Sequence, residues 1–194
     1  MSAGAGGEVS GWRCLASEGI CETPWLRVER ERVATPTRPA GVEWVSVGRP
    51  TAAVIAPRTP GGAYLLVRQE RVPVRSEMWE FPAGQVDGAD DAESIVATAH
   101  RELAEEAGVM TRSALIPLGR YFSSCGFTNE CCHLFLAVDV VPALEPGKRD
   151  ANEAIIEQRE FPPDVFVEAV ASGTICDANT LAVYARLVAR GLFR

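Results

Sequence analysis

The sequence predicts an α/β fold preceded by a small β appendage, and three observations carry that expectation. Residues 51–57 and 63–69 are apolar runs flanking a Pro-Gly-Gly turn, as in a hairpin of two buried strands. Downstream, Val96, Ala99, Leu103 and Ala107 recur at helical spacing and form a stripe able to hold a helix against a sheet. Ahead of both, residues 12–47 alternate in part between turn residues, the pattern of short strands.

Taken in order, residues 1–10 are small and glycine-rich and are expected to form a disordered tail. Residues 11–48 then make the appendage, and 49–194 the main domain. Within the appendage, 25–33 keeps its charges on one side, as a half-exposed strand does. Pro36, Pro39 and Gly41 mark a turn, and 42–47 is a second strand. After the apolar hairpin, Trp79-Glu80-Phe81-Pro82-Ala83-Gly84 leads into the helix. Asp90 or Ser94 suits its N-cap, and Gly108 suits a left-handed terminator. Residues 115–122 and 133–141 read as strands, 142–152 as a polar loop, and 158–161 as a further strand. Two amphipathic helices follow at 163–171 and 177–190, the second with Leu181, Tyr184, Ala185 and Val188 at helical spacing.

Composition removes several function classes. A net charge of −7 and a pI near 5.0 argue against general attraction to nucleic acid or to an anionic membrane. No apolar run approaches the roughly 20 residues of a membrane span. The first residues lack the basic region and apolar core of a secretory signal. The six cysteines (Cys14, Cys21, Cys125, Cys131, Cys132 and Cys176) show no C-x-x-C spacing, so a zinc site is not expected. Cys131 and Cys132 sit in an apolar run and are expected to pack as small hydrophobes. A reduced, cytoplasmic setting fits this cysteine usage.

The chemistry concentrates in Arg-Glu-Leu-Ala-Glu-Glu-Ala-Gly-Val at 101–109. On a helix Glu102, Glu105 and Glu106 stand at i, i+3 and i+4, crowded on one side of the last turns. Acids near a helix C-terminus oppose the macrodipole and repel one another, so local stability does not explain them. A hard divalent cation does, because Mg²⁺ takes a few carboxylates and keeps waters or phosphate oxygens in its other positions. The full pattern, with Glu93 eight positions before Arg101, resembles the signature helix of the Nudix hydrolases. One departure stands out: the family's first glycine, six positions before the outer Glu, falls on Asp87 here. The Pro82-Ala83-Gly84 lead-in ends nine positions before Glu93, which reads as three residues inserted within 85–92.

That resemblance implies an α/β/α sandwich with a mixed sheet. It implies Mg²⁺ (with Mn²⁺ as the other candidate) held by Glu102, Glu105, Glu106 and the Ala83 carbonyl. Glu93 and Arg101 are expected to join helix and loop through an ion pair. The flanks are similar to the ADP-sugar pyrophosphatase branch. Gln69-Glu70-Arg71 stands near its Gln-aromatic-Arg, with Glu70 in place of the aromatic residue. Ser124–Glu130 matches its Ser-Pro-Gly-Phe-Ser-Asn-Glu loop, with Cys125 in place of the proline. The branch places a general base on a late loop, where Glu153 stands with Glu157 behind it. Trp25, Trp44, Arg49 and Arg71 are the substrate candidates: indoles for an adenine, guanidinium groups for bidentate phosphate or face-on contacts. His100 and His133 receive structural readings only. The implied reaction is hydrolysis of a nucleoside diphosphate sugar, ADP-ribose first, giving AMP and ribose 5-phosphate, by a homodimer whose appendage closes over substrate. The runners-up are GDP-mannose or another nucleotide-sugar or dinucleotide substrate, and a ligand sensor without turnover.

Overall fold

The computed structural model describes residues 11–144 and 154–194, so the expected tail at 1–10 and most of the expected 142–152 loop lie outside the described residues. The elements run in the order β1 (Arg13–Glu22), β2 (Arg27–Thr35), β3 (Arg38–Gly48), β4 (Ala52–Pro57), β5 (Tyr64–Arg71), β6 (Ser76–Glu80) and β7 (Ala83–Gln85). Then come α1 (Ala92–Glu105), β8 (Val109–Met110), β9 (Ile116–Phe122), β10 (Cys131–Ala137), β11 (Val141–Pro142), β12 (Ile155–Phe161), α2 (Pro163–Ala171) and α3 (Ala178–Ala189). They form two compact units. The first holds the described residues up to Pro50 together with Ser124–Glu130, and the second holds the remainder.

In the second unit a four-stranded sheet runs in the order β7-β4-β10-β9, with β4 parallel to β10 and the outer pairs antiparallel. Side chains alternate across it, as strand geometry requires. Ala53, Ile55, Phe135 and Ala137 pack with Ile95, Ala99 and Leu103 of α1 on one face. Val54, Leu134 and Leu136 pack with Phe166 of α2 and with Val183 and Leu187 of α3 on the other. The result is the expected α/β/α sandwich with a mixed sheet. A second sheet, β12-β5-β6, is antiparallel and sends Tyr64, Leu66 and Phe161 into the core shared with α2 and α3.

The expected hairpin of 51–57 with 63–69 is not what forms. Both runs are buried strands, but β4 and β5 lie in different sheets, and the bridge of Arg58 to Tyr64 falls just past the end of β4. The reason is edge occupancy. β4 pairs with β7 along one edge and β10 along the other, so no edge is left for β5.

Helix α1 differs from expectation at its start. Asp91, not Asp90 or Ser94, is the N-cap, its carboxylate accepting from the Ser94 N–H at 2.8 Å. Ile95 takes the buried place expected of Val96, which is 38 % exposed. Gly108 turns the chain with φ +60°, as expected. Asp177 caps α3 in the same manner as Asp91 caps α1, accepting from Thr180 N–H at 2.8 Å.

The first unit is an antiparallel meander, β1-β2-β3. The turn expected around Pro36, Pro39 and Gly41 is tighter than that, because β3 already begins at Arg38. Gly41, with φ +91°, supplies the bulge where the β2–β3 register shifts. Ser124–Glu130 joins this sheet through Val47 N–H, which donates to the Phe127 carbonyl at 2.7 Å, and a bridge between Val47 and Thr128. Among the described residues of this unit, Ala34 is the one buried apolar residue, while Trp12, Leu15, Ile20, Trp25, Trp44 and Val45 are exposed.

Candidate active site

Glu102 and Glu106 are one turn apart on α1 and each only 2 % exposed, facing β7. The Ala83 N–H donates to Glu106 Oε2 at 2.8 Å. At the next residue, a Cβ built on Gly84 would fall 1.7 Å from Glu102 Oε1, so only glycine lets strand and carboxylate approach this closely. Gln158 Nε2 donates to the Glu106 backbone carbonyl at 2.5 Å and ties β12 to the end of the helix.

Arg101 gathers the remaining acids. Its guanidinium lies 2.6 Å from Glu105 Oε2, 2.8 Å from Glu102 Oε1 and 3.3 Å from Asp87 Oδ2. The partner expected for Arg101 was Glu93, and the structure corrects this. Glu93 sits eight residues earlier, about 12 Å up the helix axis, whereas Glu105 is one turn away and Asp87 reaches in from the inserted loop. Burial works against the charge of Arg101, but Glu102, Glu105 and Asp87 outweigh it and hold its pKa above the ordinary value.

A divalent cation fits this donor set in part. Among the described residues no three acids, histidines or cysteines converge closely enough to enclose an ion by themselves. Glu105 is turned to Arg101, Glu102 meets both Arg101 and the strand at Gly84, and Glu106 stands against Ala83. Two carboxylates suit a cation that fills its other positions with water and phosphate.

The expected substrate residues are divided between the two units. Arg71 belongs to the second unit, where its Nε donates to both oxygens of Glu80, at 2.8 and 3.1 Å, and its Nη2 adds a further contact. Burial pushes the Glu80 carboxyl up against the pull of Arg71, while hydrogen bonding to Glu80 holds Arg71 above its ordinary value. Trp25, Trp44 and Arg49 belong to the first unit. Trp44 Nε1 donates to the Gly126 carbonyl at 2.9 Å, and Arg49 pairs with Glu130 at 3.0 Å. Trp25 lies in the β1–β2 turn. Arg27, two residues on, pairs with Gly48, and Trp44 is four residues further along β3, about 13 Å at ~3.3 Å per residue. Glu153 lies outside the described residues, and Glu157 is paired with Arg68 at 2.8 Å.

Two members of this constellation escaped the sequence reading, Asp87 and the pairing role of Glu80. A signal for Glu80 exists: a single acid between Trp79 and Phe81 at a buried position needs a cationic partner. Asp87 offers none, because an exposed loop acid looks alike whether or not an arginine reaches it.

Known proteins resemble this chain in sequence and in fold. The NUDIX domain model matches residues 48–181. An ADP-ribose pyrophosphatase of Bacillus subtilis (strain 168) is 29 % identical over 168 residues, covering 87 % of this chain and 88 % of that protein. A methanol dehydrogenase activator of Bacillus methanolicus is 27 % identical over 135 residues, 70 % of each chain. In fold, the crystal structure of an ADP compounds hydrolase superposes with a TM-score of 0.73 at 20 % identity, over 93 % of this chain and 96 % of that one. With its signature helix, cradled carboxylates and sandwich in place, the chain belongs to the NUDIX family and is a Nudix hydrolase.

Proposed function

We propose that the chain hydrolyses ADP-ribose to AMP and ribose 5-phosphate in a reaction that depends on Mg²⁺, with Mn²⁺ as a substitute. The observation that carries the reading is the pair of buried carboxylates, Glu102 and Glu106, held against the Ala83–Gly84 backbone. In the proposal they bind the cation with the Ala83 carbonyl, and Glu105 joins them from its place beside Arg101. A cation bound there supplies charge neutralisation for the diphosphate and a lower pKa for the attacking water. Arg101 keeps the acids apart and oriented. Arg71, oriented by Glu80, contacts a phosphate, and Glu153 takes the proton from water.

Trp25, Trp44 and Arg49 recognise the base in this reading, and the chain works as a homodimer in which the first unit is shared. Support comes from that unit's exposed indoles and from its single buried apolar residue among those described. The likeness to the Bacillus subtilis protein favours ADP-ribose over other nucleotide sugars. The deciding experiment assays ADP-ribose, GDP-mannose, NADH and dGTP with Mg²⁺ and with Mn²⁺. The highest kcat/KM is expected for ADP-ribose. Preference for another compound overturns the substrate, and no turnover of any of them does the same and brings forward the ligand-sensor reading.

A further inference from the structure

A groove of about 460 Å³ runs along the second unit between the first turns of α1 and strands β9 and β10. Its origin is geometric. A helix about 10 Å across covers roughly two strands spaced about 4.8 Å apart. Accordingly α1 packs over β4 and β10, through Ile95 against Ile55 and Phe135. The edge strand β9 is left uncovered on that face.

Apolar side chains form most of the lining, with Ile95 and Val96 from the helix wall facing Leu115 and Phe135 from the sheet wall. Polar groups enter at two places only. Arg120 and His133 are directly opposed partners in the β9–β10 register, so both side chains emerge on the groove face, and both line it. Asp90 lines the other wall, just before the helix. Among the described residues Arg120 forms no ion pair, and Asp90 does not reach it.

We propose that this groove binds a small amphipathic monoanion: a flat apolar body carrying one carboxylate or sulfonate. The body lies between Val96 and Phe135, and the acid group meets the Arg120 guanidinium with His133 beside it. The volume falls within the range of about 300–1,000 Å³ usual for small-molecule sites, and a mainly apolar lining with a few convergent polar groups is their common makeup. Asp90 sets the charge class, because a second negative group on the ligand would face it across the groove. That disfavours a di- or triphosphate, the ligand class proposed for the site around Glu102. Glu102 stands seven residues beyond Ile95, about 10 Å along the helix axis. The inference does not rest on the proposed hydrolysis.

The test is a fluorescence titration of the full chain with 8-anilinonaphthalene-1-sulfonate, without metal or nucleotide. One binding site per chain is expected. Arg120→Leu removes the cation and should weaken binding at least about fivefold, whereas Arg120→Lys should recover part of the loss. Val96→Trp should fill the groove and abolish binding. Val72→Ser, which trims an exposed apolar side chain elsewhere, should bind as the parent does. Near-UV circular dichroism checks that each variant is folded. Unchanged affinity in both Arg120→Leu and Val96→Trp overturns the site. Loss in Val96→Trp with none in Arg120→Leu overturns the anion and leaves an apolar cleft. Hydrolysis of ADP-ribose is read separately, so either reading can fail while the other stands.

Discussion

Two β structures in this chain solve the problem of burial in opposite ways. Strand β4 is covered on both faces and paired on both edges, and every one of its residues is buried. Strand β1, in the other unit, has no buried residue along its length, although it carries Leu15 and Ile20. The first strand belongs to a unit that makes its own core. The second belongs to a sheet whose apolar side chains are left for something else to cover. The difference teaches where function can reside in each. The core-built unit can hold carboxylates at fixed positions, and the uncovered sheet can offer aromatic surface.

Substitutions can break or sharpen that contrast. The largest effect is expected from Phe166→Ala, which empties the centre of the aromatic cluster formed with Tyr64, Phe81, Tyr184 and Phe193. Denaturant unfolding should show a loss of about 3–5 kcal/mol. A loss below about 1 kcal/mol would mean that the second unit is not organised around this core. Next comes Glu106→Gln, which keeps shape but removes the charge of a proposed metal ligand. Turnover should fall at least about a hundredfold with the melting temperature nearly unchanged, and near-normal turnover with Mg²⁺ would remove the metal assignment. Glu153→Gln should lower kcat by about a hundredfold while leaving KM close to the parent value. A larger effect from Glu157→Gln would make the partner of Arg68 the base.

The uncovered sheet should respond differently. Trp25→Ala or Trp44→Ala should raise KM for ADP-ribose several-fold, more than either lowers kcat, with oligomeric state followed by light scattering. Dimeric variants with unchanged KM would show that the indoles are packing residues only. The smallest effect is expected from Leu15→Ser, no more than about 0.5 kcal/mol if water covers that strand. A larger loss that varies with protein concentration would show instead that a second copy covers it.

What the sequence made legible follows from range. Features written within one or two turns of chain were readable: the bounds of α2, the Gly108 terminator, the placing of Glu102 and Glu106 one turn apart. The misread features depend on neighbours distant in sequence or on small register choices. The Pro-Gly-Gly turn does reverse the chain, but it cannot report that β10 has taken the edge of β4 that β5 would need. Arg71 reads as a free phosphate-binding cation until β6 brings Glu80 beside it. Asp90, Asp91 and Ser94 each qualify as an N-cap by type, and only backbone geometry selects Asp91.

The contact between Gly84 and Glu102 also restricts how this sequence can change. Even a methyl group at position 84 would meet the Glu102 carboxylate far inside contact distance. A substitution there displaces the Glu102 carboxylate from its place beside the strand unless residue 102 has first been shortened, so the two positions are linked in order as well as in space. A descendant of this chain with a side chain at 84 has therefore moved or lost this carboxylate. If Glu102 holds the cation, as proposed, glycine at 84 marks the descendants in which that role can persist.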